Sequence, residues 1–134
     1  MEKSTFVMDV DGTICVADKY PNGKSGNDYA NARPIWPVIQ RIRKLKEEGH
    51  TIILHTARGM RTYSGDVEQV RLNVLPVLLS WLHRHDVPYD DIKIGKPWGP
   101  NVYYIDDRAL SPSDFVRNDA VDYESVTLKR LINP

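Results

Sequence analysis

A chain of 134 residues that is 41% hydrophobic has the size of one ordinary domain and enough apolar material for one core. Its 18 basic and 18 acidic side chains cancel to a net charge of zero, so bulk charge gives no argument for binding nucleic acid or an anionic membrane. No apolar stretch approaches the roughly 20 residues that cross a bilayer, and no signal-peptide pattern is present, so we expect a cytoplasmic protein with a single domain over residues 1–134.

The first half of the chain predicts two strands with a helix between them. Thr5 to Val10 is almost continuously apolar, which predicts a strand buried on both faces. Tyr20 to Arg33 is rich in Gly, Asn and Asp and predicts an exposed loop or short hairpin. Apolar residues then recur at helical spacing from Ile35 to Leu45, with Gly49 just beyond, and Thr51 to His55 predicts a second buried strand.

The second half repeats this alternation. A helix is predicted from about Asp66 to Arg84, and Pro76 should kink or divide it because proline lacks the backbone donor. Its inner face is predicted to carry Val67, Val70, Val74, Leu78 and Leu82. Ile92 to Ile94 and Val102 to Ile105 are the third and fourth predicted strands. Strands that alternate with helices favour an α/β fold, a three-layer, doubly wound parallel sheet.

Polar residues follow each predicted strand, where ligands gather in open parallel sheets. They are Asp9 and Asp11 after the first strand, Thr56 after the second, Lys96 after the third, and Asp106 and Asp107 after the fourth. Clustered carboxylates need a cation, and hard oxygen ligands favour Mg²⁺. A hydroxyl and an ammonium are suited to holding a phosphate group. The pattern therefore predicts magnesium-assisted phosphoryl chemistry.

Four motifs along the chain resemble the haloacid dehalogenase superfamily. FVMDVDGTI (Phe6 to Ile14) resembles its DxDGT motif, and LHTAR (Leu54 to Arg58), GKPW (Gly95 to Trp98) and YYIDDR (Tyr103 to Arg108) are similar to the remaining three in family order. The finer pattern is similar to small phosphatases of bacterial capsule and surface-polysaccharide biosynthesis. The resemblance covers nearly the whole chain.

The resemblance implies a mechanism and a metal. Asp9 would be the nucleophile that forms an aspartyl-phosphate, and Asp11 would be the general acid and base. Mg²⁺ would be held by Asp9, the backbone carbonyl of Asp11 and Asp106, with Asp107 as an outer or water-mediated ligand. Thr56 and Lys96 would bind the phosphoryl group.

Three further residues are candidates for substrate binding. Gly12 would let backbone N–H groups approach the phosphate. Arg58 would bind the phosphate or leaving group, with pairing to an acid on the rim as the equal alternative. Trp98 would line the entrance, with packing as its alternative. The one cysteine, Cys15, is expected to be a buried apolar residue without an activated thiol, and His55 is not expected to bind a metal.

The intervals between motifs leave no room for the lid domain of larger relatives, so the chain resembles a capless member. A homo-oligomer or a bulky substrate would then have to cover the site. A sugar phosphate or related small metabolite is the favoured substrate, with no nucleic-acid or membrane partner expected. The alternatives are a capless phosphatase acting on a polynucleotide end or phosphoprotein, a receiver-like phosphoacceptor domain, and a non-catalytic binding module.

Overall fold

The computed structural model describes residues 2–132, and the side chains of residues 2–129. The strands are β1 (Thr5–Met8), β2 (Cys15–Val16), β3 (Arg33–Pro34), β4 (Thr51–His55) and β5 (Asp91–Lys93). The helices are α1 (Trp36–Glu47), α2 (Val67–Arg84), α3 (Pro112–Arg117) and α4 (Tyr123–Ile132), with 3-10 turns at Tyr29–Asn31 and Ala120–Asp122. No helix in this described range combines the length and apolar character needed to cross a membrane.

The main sheet is parallel, with the strand order β1-β4-β5, and it is flanked by helices. The chain passes from β1 through α1 to β4, and from β4 through α2 to β5. The prediction of an α/β fold with parallel strands is confirmed, and the fold is compatible with a Rossmann-like arrangement. The short antiparallel pair β2-β3 holds the segment after β1 against the start of α1, where the Ile35 N–H donates to the Ile14 carbonyl at 2.8 Å.

Among the residues that the structure describes, the two faces of β1 differ in how well they are covered. Register places Phe6 beside Ile52 and Met8 beside Leu54, and these residues lie on the face that packs on the core. On the opposite face Val7 is 61% exposed. The prediction that the first strand is buried on both faces is therefore wrong, because a continuous apolar run does not by itself provide a layer to cover the second face, where Val7 stays exposed.

The two long helices follow the predicted periodicity with two differences. In α2 the Asp66 side chain caps the first turn, accepting from the Gln69 N–H at 3.3 Å, and the helix continues past Pro76 without division. Val67 is 48% exposed, so its predicted inner position is wrong. Near the end of α2 the predicted Leu78 and Leu82 are buried, and so is Trp81, whose Nε1 donates to the Ala32 carbonyl at 2.9 Å.

Val102 to Ile105 does not form the predicted fourth strand. All four residues are exposed, Ile105 by 98%. The Val102 N–H instead donates to the Gly99 carbonyl at 3.2 Å, and the Tyr104 hydroxyl donates to the Pro97 carbonyl. These local bonds turn the segment back on the preceding loop, and within the described residues β1 is left as an edge strand.

Candidate active site

The ends of the three parallel strands bring several of the predicted site residues together. Asp9 directly follows β1, and Thr56 directly follows β4. Two backbone hydrogen bonds join the ends of β4 and β5, from the Thr56 N–H to the Lys93 carbonyl at 2.9 Å and from the Lys96 N–H to the Thr56 carbonyl at 3.2 Å. These two bonds fix the position of the Lys96 backbone relative to the ends of β4 and β5.

Lys96 and Asp9 form an ion pair across the strand ends. Lys96 Nζ lies 3.4 Å from Asp9 Oδ1, with the two side chains 20% and 40% exposed. The ammonium also lies 4.7 Å from the centre of the Tyr104 ring. A half-exposed carboxylate beside an ammonium can meet a dianionic group from solvent, with the ammonium offsetting the repulsion.

The turn after β1 is tightly bonded. The Val10 carbonyl accepts from the N–H groups of Thr13 and Ile14 at 3.1 and 2.8 Å, and the Gly12 N–H donates to the Cys15 carbonyl at 2.8 Å. Gly12 has a φ of +82°, a backbone conformation that glycine adopts without the strain a side chain would cause. The Gly12 N–H itself is bonded to Cys15, and the expectation that Gly12 lets backbone N–H groups approach a phosphate stays a prediction.

Arg58 pairs with Asp11 and not with an acid on the rim. Its Nη2 donates to Asp11 Oδ1 at 2.9 Å and its Nε donates to Asp11 Oδ2 at 3.1 Å. The guanidinium lies 4.2 Å from the centre of the Tyr29 ring, and the Arg58 side chain is only 1% exposed. Nη1 is buried without a hydrogen-bond partner among the described residues, which typically costs about 1–3 kcal/mol.

Thr56 is buried at the centre of the site. Its Oγ1 accepts from the Arg58 backbone N–H at 3.0 Å, and the residue is 1% exposed. A hydroxyl that accepts still has its own proton to donate. The same contact fixes the first turn of the loop that carries Arg58.

Cys15 and His55 border this site, and their surroundings shift the pKa of each. Cys15 is fully buried, with Sγ 3.6 Å from Asp11 Oδ1, and burial followed by the Asp11 charge raises its pKa to about 12. The prediction that its thiol is not activated is confirmed. Burial and the nearby Lys96 ammonium lower the pKa of His55, so a neutral imidazole borders the site near neutral pH.

The metal prediction depends on residues that the structure does not gather. Asp106 and Asp107 are exposed, and Asp106 Oδ1 accepts from the Arg108 N–H at 2.7 Å. Among residues 2–132, no three His, Cys, Asp or Glu side chains lie close enough together to hold a metal. The donor chemistry of Asp9 still fits Mg²⁺, which takes one or two carboxylates and completes its shell with water and phosphate.

Two aromatic rings, Tyr104 and Tyr29, lie against charged residues of the site. Trp98 is 50% exposed beside the lysine loop, while Tyr104 is the ring in contact with Lys96. Tyr29 lies on Arg58 from the loop between β2 and β3. Neither contact has a local signal, because each joins residues whose proximity depends on tertiary folding.

Comparison with solved structures extends the description of the fold. The crystal structure of an MCSG target from Vibrio cholerae is similar to this chain, with 38% sequence identity and a TM-score of 0.82. The match covers 95% of this chain and 98% of that one, so the two share their fold over nearly their whole lengths. No family model and no curated protein matches this chain.

Proposed function

This chain belongs to the same family as the Vibrio cholerae protein, and we propose that it is a magnesium-dependent phosphomonoester hydrolase with Asp9 as its nucleophile. The observation that carries the proposal is the placing of the Asp9–Lys96 ion pair and the Asp11–Arg58 pair after the strands of one parallel sheet. These residues belong to the motifs that resemble the haloacid dehalogenase superfamily.

In the first half of the proposed reaction, Lys96 and Thr56 bind the phosphoryl oxygens and Asp9 attacks phosphorus. The bond from phosphorus to the leaving oxygen breaks, and Asp11 supplies the proton that this oxygen takes. In the second half, water attacks phosphorus, the bond to Asp9 breaks, and inorganic phosphate leaves.

Mg²⁺ would be held by Asp9, the backbone carbonyl of Asp11 and Asp106, with Asp107 behind them. It would offset the charge of the phosphoryl oxygens and of Asp9 as they approach. The exposed carboxylate of Asp9 supports this assignment.

The doubly wound, three-layer arrangement of the resembled superfamily is part of the proposal. It requires cover over the sheet face that carries Val7, which is largely exposed. The exposed apolar run from Val102 to Ile105 has the composition to supply that cover. Asp106 directly follows this run in the chain.

The favoured substrate is a sugar phosphate or related small metabolite of surface-polysaccharide synthesis in the cytoplasm. The half-exposed Trp98 beside Lys96 supports an apolar wall at the entrance, as a sugar ring requires. A homo-oligomer could complete the site by covering its open side.

Phosphate release from sugar phosphates, nucleotides and an aryl phosphate, each with Mg²⁺ and with EDTA, tests the proposal. Asp9→Asn should lower turnover by at least about a thousandfold, since an amide is a far weaker nucleophile than a carboxylate. Asp18→Asn is the matched control, because Asp18 is an exposed carboxylate in an ion pair with Arg33.

Results other than these would refute the proposed site or favour one of the alternative functions. Turnover that survives Asp9→Asn or EDTA refutes the proposed site. An Asp9 phosphate that persists for minutes favours a receiver-like domain. If no small substrate releases phosphate, the substrate is a polynucleotide end or a phosphoprotein, or the chain is a non-catalytic binding module.

A further inference from the structure

The Arg58–Asp11 pair differs from the surface ion pairs of the molecule in its burial. Arg33 and Asp18 make the same two-pronged contact, at 3.0 and 3.1 Å, but their side chains are 66% and 64% exposed. The Arg58 side chain is 1% exposed, and that of Asp11 is 34% exposed. One end of this pair is therefore fixed in the protein, while the other end reaches the site.

Both oxygens of Asp11 accept hydrogen bonds from the guanidinium, so Arg58 fixes the orientation of the Asp11 side chain. A carboxylate held in one orientation beside the reacting group can accept a proton there. We propose that Arg58 is a positioning residue that holds Asp11 as the base for the second half-reaction, hydrolysis of the aspartyl-phosphate. This inference rests on the function proposed above.

The step balances without another reactant. Water oxygen forms a bond to phosphorus, the bond from phosphorus to the Asp9 oxygen breaks, and its electron pair remains on the Asp9 carboxylate. One proton of the water passes to Asp11. Arg58 keeps its proton throughout and acts only by holding Asp11.

The surroundings of Arg58 suit a positioning role. The Tyr29 ring lies on the guanidinium, and Cys15 Sγ lies 3.8 Å from Nη2. The Arg58 backbone N–H is bonded to Thr56 Oγ1 at 3.0 Å, so the residue is fixed at both ends. Nη1 has no acceptor among the described residues, which leaves a donor for substrate as the competing role.

Rapid mixing with an aryl phosphate and Mg²⁺ separates the two roles. Aryl oxide leaves without needing a proton, so the first phase reports attack by Asp9, and the steady state reports hydrolysis of the aspartyl-phosphate. Arg58→Lys keeps the positive charge but cannot make the two-pronged contact with both oxygens of Asp11. We expect its first phase to stay within about threefold of wild type and its steady-state rate to fall at least about tenfold, with phosphorylated Asp9 accumulating.

Arg33→Lys is the matched control, since it makes the same change in an exposed pair, and it should change neither phase. Tyr29→Leu removes the ring while keeping Arg58, and it should slow the steady state in the same direction. Equal slowing of both phases by Arg58→Lys would assign Arg58 to substrate binding and overturn the inference. No change in either phase would also overturn it.

A measurement on the wild type tests the pair without turnover. The Nε–H of Arg58 should give an NMR signal that exchanges with water far more slowly than that of Arg33, and Asp11→Ala should abolish the protection. Exchange as fast as that of Arg33 would overturn the inference even in an active enzyme. Slow exchange in a chain that releases no phosphate would refute the proposed function, and the catalytic role of Arg58 with it.

Discussion

Gly59→Ala should destabilise the protein strongly, for two reasons that the structure separates. Gly59 has a φ of +84°, where an alanine costs about 1–2 kcal/mol. A Cβ at this position would also lie 2.6 Å from Val74 Cγ2, on the buried side of α2. Such overpacking typically costs about 1–3 kcal/mol, so the total is roughly 2–5 kcal/mol.

That loss is a large part of the roughly 5–15 kcal/mol that stabilises a domain. For a chain of this size it corresponds to a fall in Tm of about 8–20 °C. Urea unfolding followed by circular dichroism measures the free energy directly. Because Gly59 adjoins Arg58, turnover measured well below Tm should also fall.

Gly23→Ala is the matched control, since Gly23 has a φ of +75° and its added Cβ meets nothing within 4 Å. It should cost only the backbone part, about 1–2 kcal/mol. Combining Gly59→Ala with Val74→Ala should cost less than the sum of the two single losses, because the short contact is then removed. Equal losses for Gly59→Ala and Gly23→Ala would refute the steric reasoning.

Two further predictions concern carboxylates. Hydrogen bonds from Lys46 and from the Ile52 N–H lower the pKa of Asp90 in the folded protein below its ordinary 3.8. The ionised Asp90 therefore stabilises the fold above pH 3.8, and this stabilisation is lost as the pH falls through the pKa of the folded state. At pH 7 the urea midpoint of Asp90→Asn should therefore be lower than that of wild type, and the difference between the two midpoints should disappear below pH 3.8. A difference that is unchanged at acid pH would contradict a stabilisation by the ionised carboxylate. Asp106→Asn should raise the Mg²⁺ concentration for half-maximal phosphate release by at least about tenfold, and Asp107→Asn by less, as measured by Mg²⁺ titration of turnover. The reverse order would exchange their assigned roles.

The parts of the fold that are predictable from the sequence are those with a local signal. The helical spacing of apolar residues predicted α1 and α2 to within about two residues of their ends. Asp-Gly and the polar residues after apolar runs indicated which side chains lie beyond β1 and β4. These elements could be predicted because the patterns that determine them lie in neighbouring residues and do not depend on distant partners.

The remaining features depend on partners far away in the chain. Arg58 lies 47 residues from Asp11, and nothing local distinguishes a buried pair from pairing on the rim. The apolar run from Val102 to Ile105 predicted a strand, yet composition does not identify a strand's partner. Trp81 was missed because the predicted inner stripe of α2 was drawn too narrowly.

Two of the three tryptophans, Trp81 and Trp98, can serve as separate optical probes once the third, Trp36, which is 44% exposed, is replaced by phenylalanine. Trp81 is fully buried, donates to Ala32 and has the His85 ring at 4.4 Å, so its emission reports the packing of α2. Trp98 is half-exposed beside Lys96, so its emission reports events at the entrance to the site. A ligand that shifts the exposed emission while the buried emission stays constant binds without loosening the core. In a Trp36→Phe variant, intrinsic fluorescence can therefore separate ligand occupancy from unfolding in one unlabelled sample.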